Sequence, residues 1–552
     1  MPSRRTPLRP LLAALLILGL PGAAMAQATV GLGDDATTLP GGALRFSVAN
    51  LWTRFDSRFD STGAQQSLGA ALTSDAAGVA QFENLAPLQR DVRSLSGLSS
   101  FTVDIGRTAV FANARVRTTP ISLELGLTHW LQIGVRVPIV STRTGVALRT
   151  NQAGPAGNVG VNPGLTSGSP AAAANALLLQ QFASADSALN GQIASCTAAP
   201  TGANCGAVLA AGPALLAQAQ DVAAGLSRVY GGSFFVPRTG SMADTAIRAR
   251  IAGLGARFDS LGISAITAGG PAGSDTPAGA GDLQRFITDD AFGLAGDSLQ
   301  SIERTGVGDV ELSAKVQWLS TLGQARRLHP PRGVHLRSAI TGILRLGTGK
   351  PSAPGDFLGV GTGDGQTDVE VRSENDILFG SHFWTSLVGV YGVQLADQRV
   401  MRIADPTQPV AAAFRQFPVD RDLGDYVALS VAPRLTLGDY FSIGGQYSYW
   451  RKAQDHYTGT FSTTNLAGDT VTLDASILDR QTTQRLQQVS VGIEYSTVAA
   501  YAEGRAGFPI EISLVHLVSV AGSGGFAPKT TQDAIRIRLY AHLFGGPMWG
   551  RH

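Results

Sequence analysis

The stretch DYVALSVAPRLTLGDYFSIGGQYSYWRK (residues 425–452) alternates with period two on both sides of a Gly438-Asp439 turn. Val427, Leu429, Val431, Pro433, Leu435 and Leu437 share one face of the first run; Ala428, Ser430, Ala432, Arg434 and Thr436 share the other. The second run sets Phe441, Ile443, Gly445, Tyr447 and Tyr449 against Ser442, Gly444, Gln446 and Ser448. Alternation of this kind predicts β-strands, and the short turn predicts a hairpin. Each run has about ten residues, the length at which a tilted strand crosses a bilayer. The opposite face is small and polar, unlike the inner face of a soluble sandwich. Tyr440 and Phe441 sit at the turn, where a membrane interface would lie. The stretch therefore reads as one hairpin of a transmembrane β-barrel.

The chain has 552 residues, 67 of them Gly, and 15% are charged. The formal net charge of +2 implies no nucleic acid or other strongly charged partner. Arg4, Arg5 and Arg9 precede an apolar run, LLAALLILGL (11–20), and Ala24-Met25-Ala26 has the form of a cleavage site. Residues 1–26 thus read as a secretory signal peptide. No later apolar run reaches 18 residues, so no membrane helix is indicated. An exported chain with bilayer-length strands points to the bacterial outer membrane, with a soluble secreted β-protein as the alternative.

Alternation continued along the chain predicts an all-β antiparallel barrel of about 12 strands. They fall near 43–56, 106–128, 131–140, 308–319, 334–346, 367–379, 383–400, 427–437, 441–449, 485–497, 505–520 and 533–544. Within 106–128, Ile121, Leu123, Leu125 and Leu127 have one parity and Val110, Ala112, Ala114 and Val116 the other. A bulge near Thr119-Pro120 is expected from this, since Pro cannot donate to the ladder. Links at one end are long and polar (57–100, 148–305, 347–366, 401–424, 453–483, 521–532). Most at the other end are short, near 129, 381, 439 and 500, as in outer-membrane barrels. Trp130, Trp318, Phe383, Trp384, Tyr440, Phe441 and Tyr501 cluster at the short-turn end, where aromatic rings favour the interface.

The expected organisation is barrel over 27–150, an α-helical extracellular insert over 151–303, and barrel again over 304–552. Cys196 and Cys205 enclose TAAPTGAN between Ala/Leu-rich runs at 171–195 and 206–229. This predicts two antiparallel helices with a disulfide across their connection, with free thiols as the alternative. Further helices are expected near 241–260 and 281–303. Leu177, Leu178, Leu179, Phe182, Leu215 and Leu216 would offer an apolar surface at the pore entrance if the insert is a lid; a surface decoration is the alternative.

LELGLTHWLQIGVRVPIV (123–140), GVGDVELSAKVQWL (306–319) and LRLGTGKPSAPGDFLGVGTGDGQTDVEV (344–371) resemble motifs of the outer-membrane family linked to the meta-pathway of phenol degradation. That family is distantly similar to the long-chain fatty acid transporters. The resemblance implies a channel for small hydrophobic or aromatic compounds. Gly347 stands where the family tends to have Pro, and the long insert departs from its compact pattern.

No catalytic set is indicated. His516 and Ser519 are spaced to face opposite sides of a strand, and no G-x-S-x-G or H-E-x-x-H occurs. No cofactor is indicated, and the His spacing suits no metal site. Gly361-Thr362-Gly363-Asp364-Gly365 reads as a Gly-rich surface turn. Charged residues on the strands must avoid lipid, because a charge at the bilayer midplane costs about 2–4 kcal/mol. Glu124, Arg136, Glu311, Lys315, Arg337, Arg345, Glu370, Arg372, Glu374, Asp376, Arg434, Glu494, Arg536 and Arg538 are therefore expected to line the lumen. They would form either a polar channel wall or a closed ionic network that fills it. The expected partners are outer-membrane lipid and a small hydrophobic solute. The function reads as passive uptake of such solutes; the alternative is a structural or adhesive barrel whose surface loops carry the function.

Overall fold

The computed structural model describes residues 34–543, apart from 153–155, 323–331, 407, 409 and 526. The expected signal peptide lies outside these residues. The backbone forms a closed, antiparallel barrel of 12 strands. They are β1 (Ala43–Phe55), β2 (Gly106–Gly126), β3 (Leu131–Thr150), β4 (Val310–Ser320), β5 (Val334–Leu346), β6 (Asp368–Phe379), β7 (Phe383–Gln394), β8 (Tyr426–Leu437), β9 (Phe441–Lys452), β10 (Thr482–Ser496), β11 (Ile510–Gly525) and β12 (Thr531–His542). Each strand pairs with its sequence neighbour, and β1 closes on β12 from Ala43↔His542 to Arg54↔Thr531. A short extension, Ile302–Val307, continues β4 outward against β3 after a one-residue shift at Gly308-Asp309.

The outward face is the apolar one. Leu429 is 62% exposed, while Arg434 and Arg345 are buried within the barrel. From Val427 to Leu437 the outward band of β8 spans about 25 Å along the barrel axis at ordinary strand rise and tilt. A solvated face this apolar is explained by lipid contact.

The bulge expected near Thr119-Pro120 is absent. The β2–β3 ladder runs unbroken through Thr119↔Ile139 and Pro120↔Pro138, and the β1–β2 ladder resumes beyond the prolines without a slip. Even-numbered residues of β2 point inward throughout. The parity of the apolar residues changes because the outer half of the strand leaves lipid: outside it meets water, and inside it meets packed loops.

The long loops are folded rather than merely polar. The first carries α1 (Ala86–Ser96); the insert carries α2 (Pro170–Ala198), α3 (Cys205–Leu226), α4 (Met242–Ser260) and α5 (Ala280–Thr288). One core joins them: Phe82, Val92 and Leu95 from the first loop with Leu178, Phe182, Leu215, Ile247, Phe258 and Phe286 from the insert. Leu178, Phe182 and Leu215 are thereby buried and not presented at an entrance; Leu177 remains exposed. Cys196 and Cys205 form the expected disulfide between α2 and α3. Against the expectation of no membrane-length apolar helix, Cys205–Gly232 is long and apolar enough to cross a membrane. Its Val208, Leu215, Ala219 and Val222 pack into the cap core instead.

The links after β7 and β9 form a second outer unit around Met401, Ile403, Val419, Tyr457 and Leu473. The strand expected to run to 400 stops at Gln394, and 397–402 belongs to this unit. The link near 500 is longer than expected and holds α6 (Val498–Ala502).

Candidate functional site: the barrel lumen

Strand register turns all the predicted lumen residues inward and sorts them into two ionic ladders. On the β3–β6 wall, Arg136 Nη1 donates to Glu311 Oε2 at 2.9 Å, and Arg345 reaches Glu311 (3.2 Å) and Asp368 (2.9 Å). Arg372 pairs with Glu370, Arg337 Nη2 lies 2.8 Å from Asp376, and Lys315 Nζ lies 3.3 Å from Glu374. On the opposite wall Arg45 pairs with Glu124, while Arg434 and Arg536 flank Glu494 at 3.6 and 3.9 Å. Arg538 lies 3.3 Å from Glu511. Alternating signs keep each buried charge compensated, as burial of an ion pair requires.

Between the ladders runs a segment that the strand pattern did not reveal. Residues 34–39 descend the β3–β6 wall to the inner mouth, where β1 begins. Leu39 N donates to Gln132 Oε1 (3.0 Å), Gln317 Nε2 donates to the Ala36 carbonyl (2.6 Å), and Ala36 N donates to Asp376 Oδ2 (3.0 Å). Lys315 Nζ donates to the Asp35 carbonyl, and Arg372 Nη1 lies 2.6 Å from Asp34 Oδ2. The segment thus occupies part of the inner lumen.

Above Asp34 lies a cavity of about 190 Å³. Its floor is charged: Asp34, Arg345, Glu370 and Arg372. Its sides carry Leu51, Phe55, Val116, Val140, Val388, Val390, Leu486 and Leu517, with Ser430, Gln446, Ser448 and Ser490 between them. Its roof is Val360–Asp364. The Gly-rich turn expected at the surface is thus folded into the mouth. Thr142 Oγ1 donates to the Val360 carbonyl (2.8 Å), and Thr362 Oγ1 donates to that of Val307 (3.2 Å). Glycines permit this approach: a Cβ on Gly363 would lie 2.4 Å from Asp309 Oδ2. The cavity has an apolar girth and a polar base, a geometry that holds a small hydrophobic molecule by its body.

The expected interface aromatics divide. Trp130, Trp318 and Phe441 are exposed at the inner end of the barrel, and Tyr440 stacks on Tyr495 at 6.1 Å. Trp384 is a correction. It pairs across the ladder with Arg434 and lies under that guanidinium at 5.0 Å, inside the lumen. Phe383, the adjacent residue, takes the outward place. Tyr501 packs with Leu39, Ala43, Val498 and Tyr540 at the inner mouth. His516 and Ser519 do face opposite sides: His516 Nδ1 meets Asp533 Oδ1 outside (2.7 Å), and Ser519 Oγ meets Thr530 Oγ1 inside (2.8 Å). Tyr426 and Tyr540, whose hydroxyls each donate to a lumen carboxylate at 2.5 Å, were missed; both sit at inward parity and could have been read from register.

No protein-family model matches the chain, and no curated protein matches it in sequence. Among solved structures, an outer membrane channel from Pseudomonas putida F1 is similar at 10% identity and a TM-score of 0.40, over 92% of this chain and 98% of that one. The toluene transporter TodX of Pseudomonas putida is similar at 10% identity and a TM-score of 0.25, over 96% and 100%. The toluene transporter TbuX of Ralstonia pickettii is similar at 8% identity and a TM-score of 0.27, over 94% of both chains.

Proposed function

We propose that this chain is a bacterial outer-membrane channel for passive entry of small hydrophobic or aromatic compounds. The observation that carries the reading is the cavity with apolar sides, held inside a lipid-facing barrel between a folded-in loop and the N-terminal segment. A barrel serving only as an anchor for surface loops would gain nothing from such a cavity. The insert and the first loop act as a cap over the mouth, and a solute passes from the cap to the cavity before meeting the charged floor. The charged ladders are the channel wall, and the N-terminal segment narrows it.

Ser448 lines the cavity and points inward, so S448F should fill it without touching lipid. Proteoliposomes with the parent protein should take up monoaromatic hydrocarbons faster than empty vesicles, and S448F should reduce that uptake with unchanged heat-modifiable gel mobility. Equal uptake by parent, S448F and empty vesicles would favour the adhesive or structural alternative.

A further inference from the structure

Above the lipid band, the outer surface of β1–β3 carries a row of like charges. Arg54 is the ladder partner of Arg115, and Arg115 is the ladder partner of Arg143. All three are exposed, and their inward neighbours Ala114, Thr142 and Thr144 are buried. Ladder partners lie about 5 Å apart at Cβ, where like charges repel. One step lower on the same face, Arg117 donates from Nε to Asn50 Oδ1 at 2.9 Å and stands opposite Trp52.

The chain supplies little compensation. Arg54 reaches Asp533 at 3.4 Å, but both side chains are well exposed, so the pair is weak. Among the described residues no carboxylate lies within 4.0 Å of Arg115, Arg117 or Arg143; Glu303 stands across the ladder from Arg143 without closing on it. A sheet surface that aligns three guanidiniums is a multidentate anion site, because planar guanidinium forks match phosphate oxygens.

The height of the row identifies the anion. The uppermost apolar outward residues are Ile121 on β2 and Ile139 on β3, the latter opposite Thr119, and Arg115 and Arg143 lie four residues beyond Thr119 and Ile139. At ordinary strand rise and tilt, this is about 10 Å above the apolar edge. A phosphoglyceride headgroup region extends only about 5–8 Å beyond the hydrocarbon. Phosphates carried on the sugars of a glycolipid stand higher. We propose that Arg54, Arg115 and Arg143 bind the phosphorylated sugar headgroup of an outer-leaflet glycolipid. The inference rests on the membrane placement above, but not on what the lumen conducts.

The test uses the full chain refolded in detergent and the bis-phosphorylated glycolipid of the outer leaflet, with native mass spectrometry as readout. The parent should retain this lipid, and should retain its dephosphorylated form and phosphatidylglycerol at least about tenfold less well. The R54Q/R115Q/R143Q variant should lose the preference, R54K/R115K/R143K should keep part of it, and R90Q on α1 should behave as the parent. Equal retention of phosphorylated and dephosphorylated lipid by the parent would overturn the site even if the glutamine variant failed to fold. So would an unchanged preference in the folded glutamine variant, or equal competition by inorganic phosphate. Hydrocarbon uptake, measured separately, should be unaffected by the glutamine variant; parent vesicles without uptake would overturn the channel reading and leave this one standing.

Discussion

Pro120 lies opposite Pro138 across the β2–β3 ladder, and at that level the outward faces of both strands change from apolar to polar. Below the pair, Ile121, Leu123 and Val137 face out; Ile139 stands one rung above it, and beyond that Arg115, Arg117, Ser141 and Arg143 face out. The pair marks where the barrel wall leaves the hydrocarbon. Leu123→Lys places a charge in lipid at a cost of about 2 kcal/mol. It should weaken the folded band on semi-native gels of outer-membrane fractions. Asn113→Lys, outward on the same strand but above the prolines, should assemble like the parent. Equal assembly of both would misplace the boundary.

The strands were legible because one face of each meets lipid, which gives period two a strong contrast. Trp384 shows the limit of composition without register. Two adjacent aromatics cannot both face out, and only the parity of Leu387 assigns Phe383 to lipid. The helices of the insert were legible from their Ala/Leu-rich runs, but the packing of the outer loops was not, because their apolar residues are spread among polar ones. Phe82, Val92 and Tyr457 find partners from distant loops, so no local period announces them. Residues 34–39 are too short for any period. Their acidic pair, Asp34-Asp35, was the available signal, since the wall they meet presents Lys315, Arg337 and Arg372.

The Cys196–Cys205 bridge closes a short link between α2 and α3. Loop-closure entropy for a separation of this size is worth about 2–3 kcal/mol. Reduction, or Cys196→Ser with Cys205→Ser, should speed proteolysis within 196–205 while the barrel keeps its heat-modifiable mobility. The serine variant should show no further response to reductant. Cleavage indifferent to both treatments would mean that the helix pair is held by its core alone.

Burial pushes the Asp455 carboxyl up to about 7, against the attraction of Lys452 Nζ at 3.1 Å and a hydrogen bond from Gly424 N at 2.7 Å. The ordinary value is 3.8, so the folded outer unit holds a proton that the unfolded chain releases. Stability linked to this group is therefore present below about pH 4 and lost progressively as pH rises through about 7. Amide exchange in 453–480, corrected for intrinsic rate, should be faster at pH 8 than at pH 5.5. Asp455→Asn should flatten the difference. A profile unaffected by that substitution would assign the dependence to another group.

Residues 34–36, which narrow the inner lumen, are held by strand side chains, Lys315, Gln317, Asp376 and Arg372, while Thr38 and Leu39 meet the inner-mouth links through the His129 carbonyl, Val498 and Tyr501. Removing the segment exposes those side chains to lumen water, and their ladder partners Glu374, Arg337 and Glu370 remain in place. The barrel should therefore survive deletion of 34–38. Conductance in planar bilayers should rise, because the cross-section of the inner lumen widens. Lys315→Met is the milder version. It removes the donor to the Asp35 carbonyl and should give brief openings to the higher level rather than a permanent one. Parent-level conductance in the deletion, with an assembled barrel, would place the narrowest point elsewhere, at the Val360–Asp364 roof.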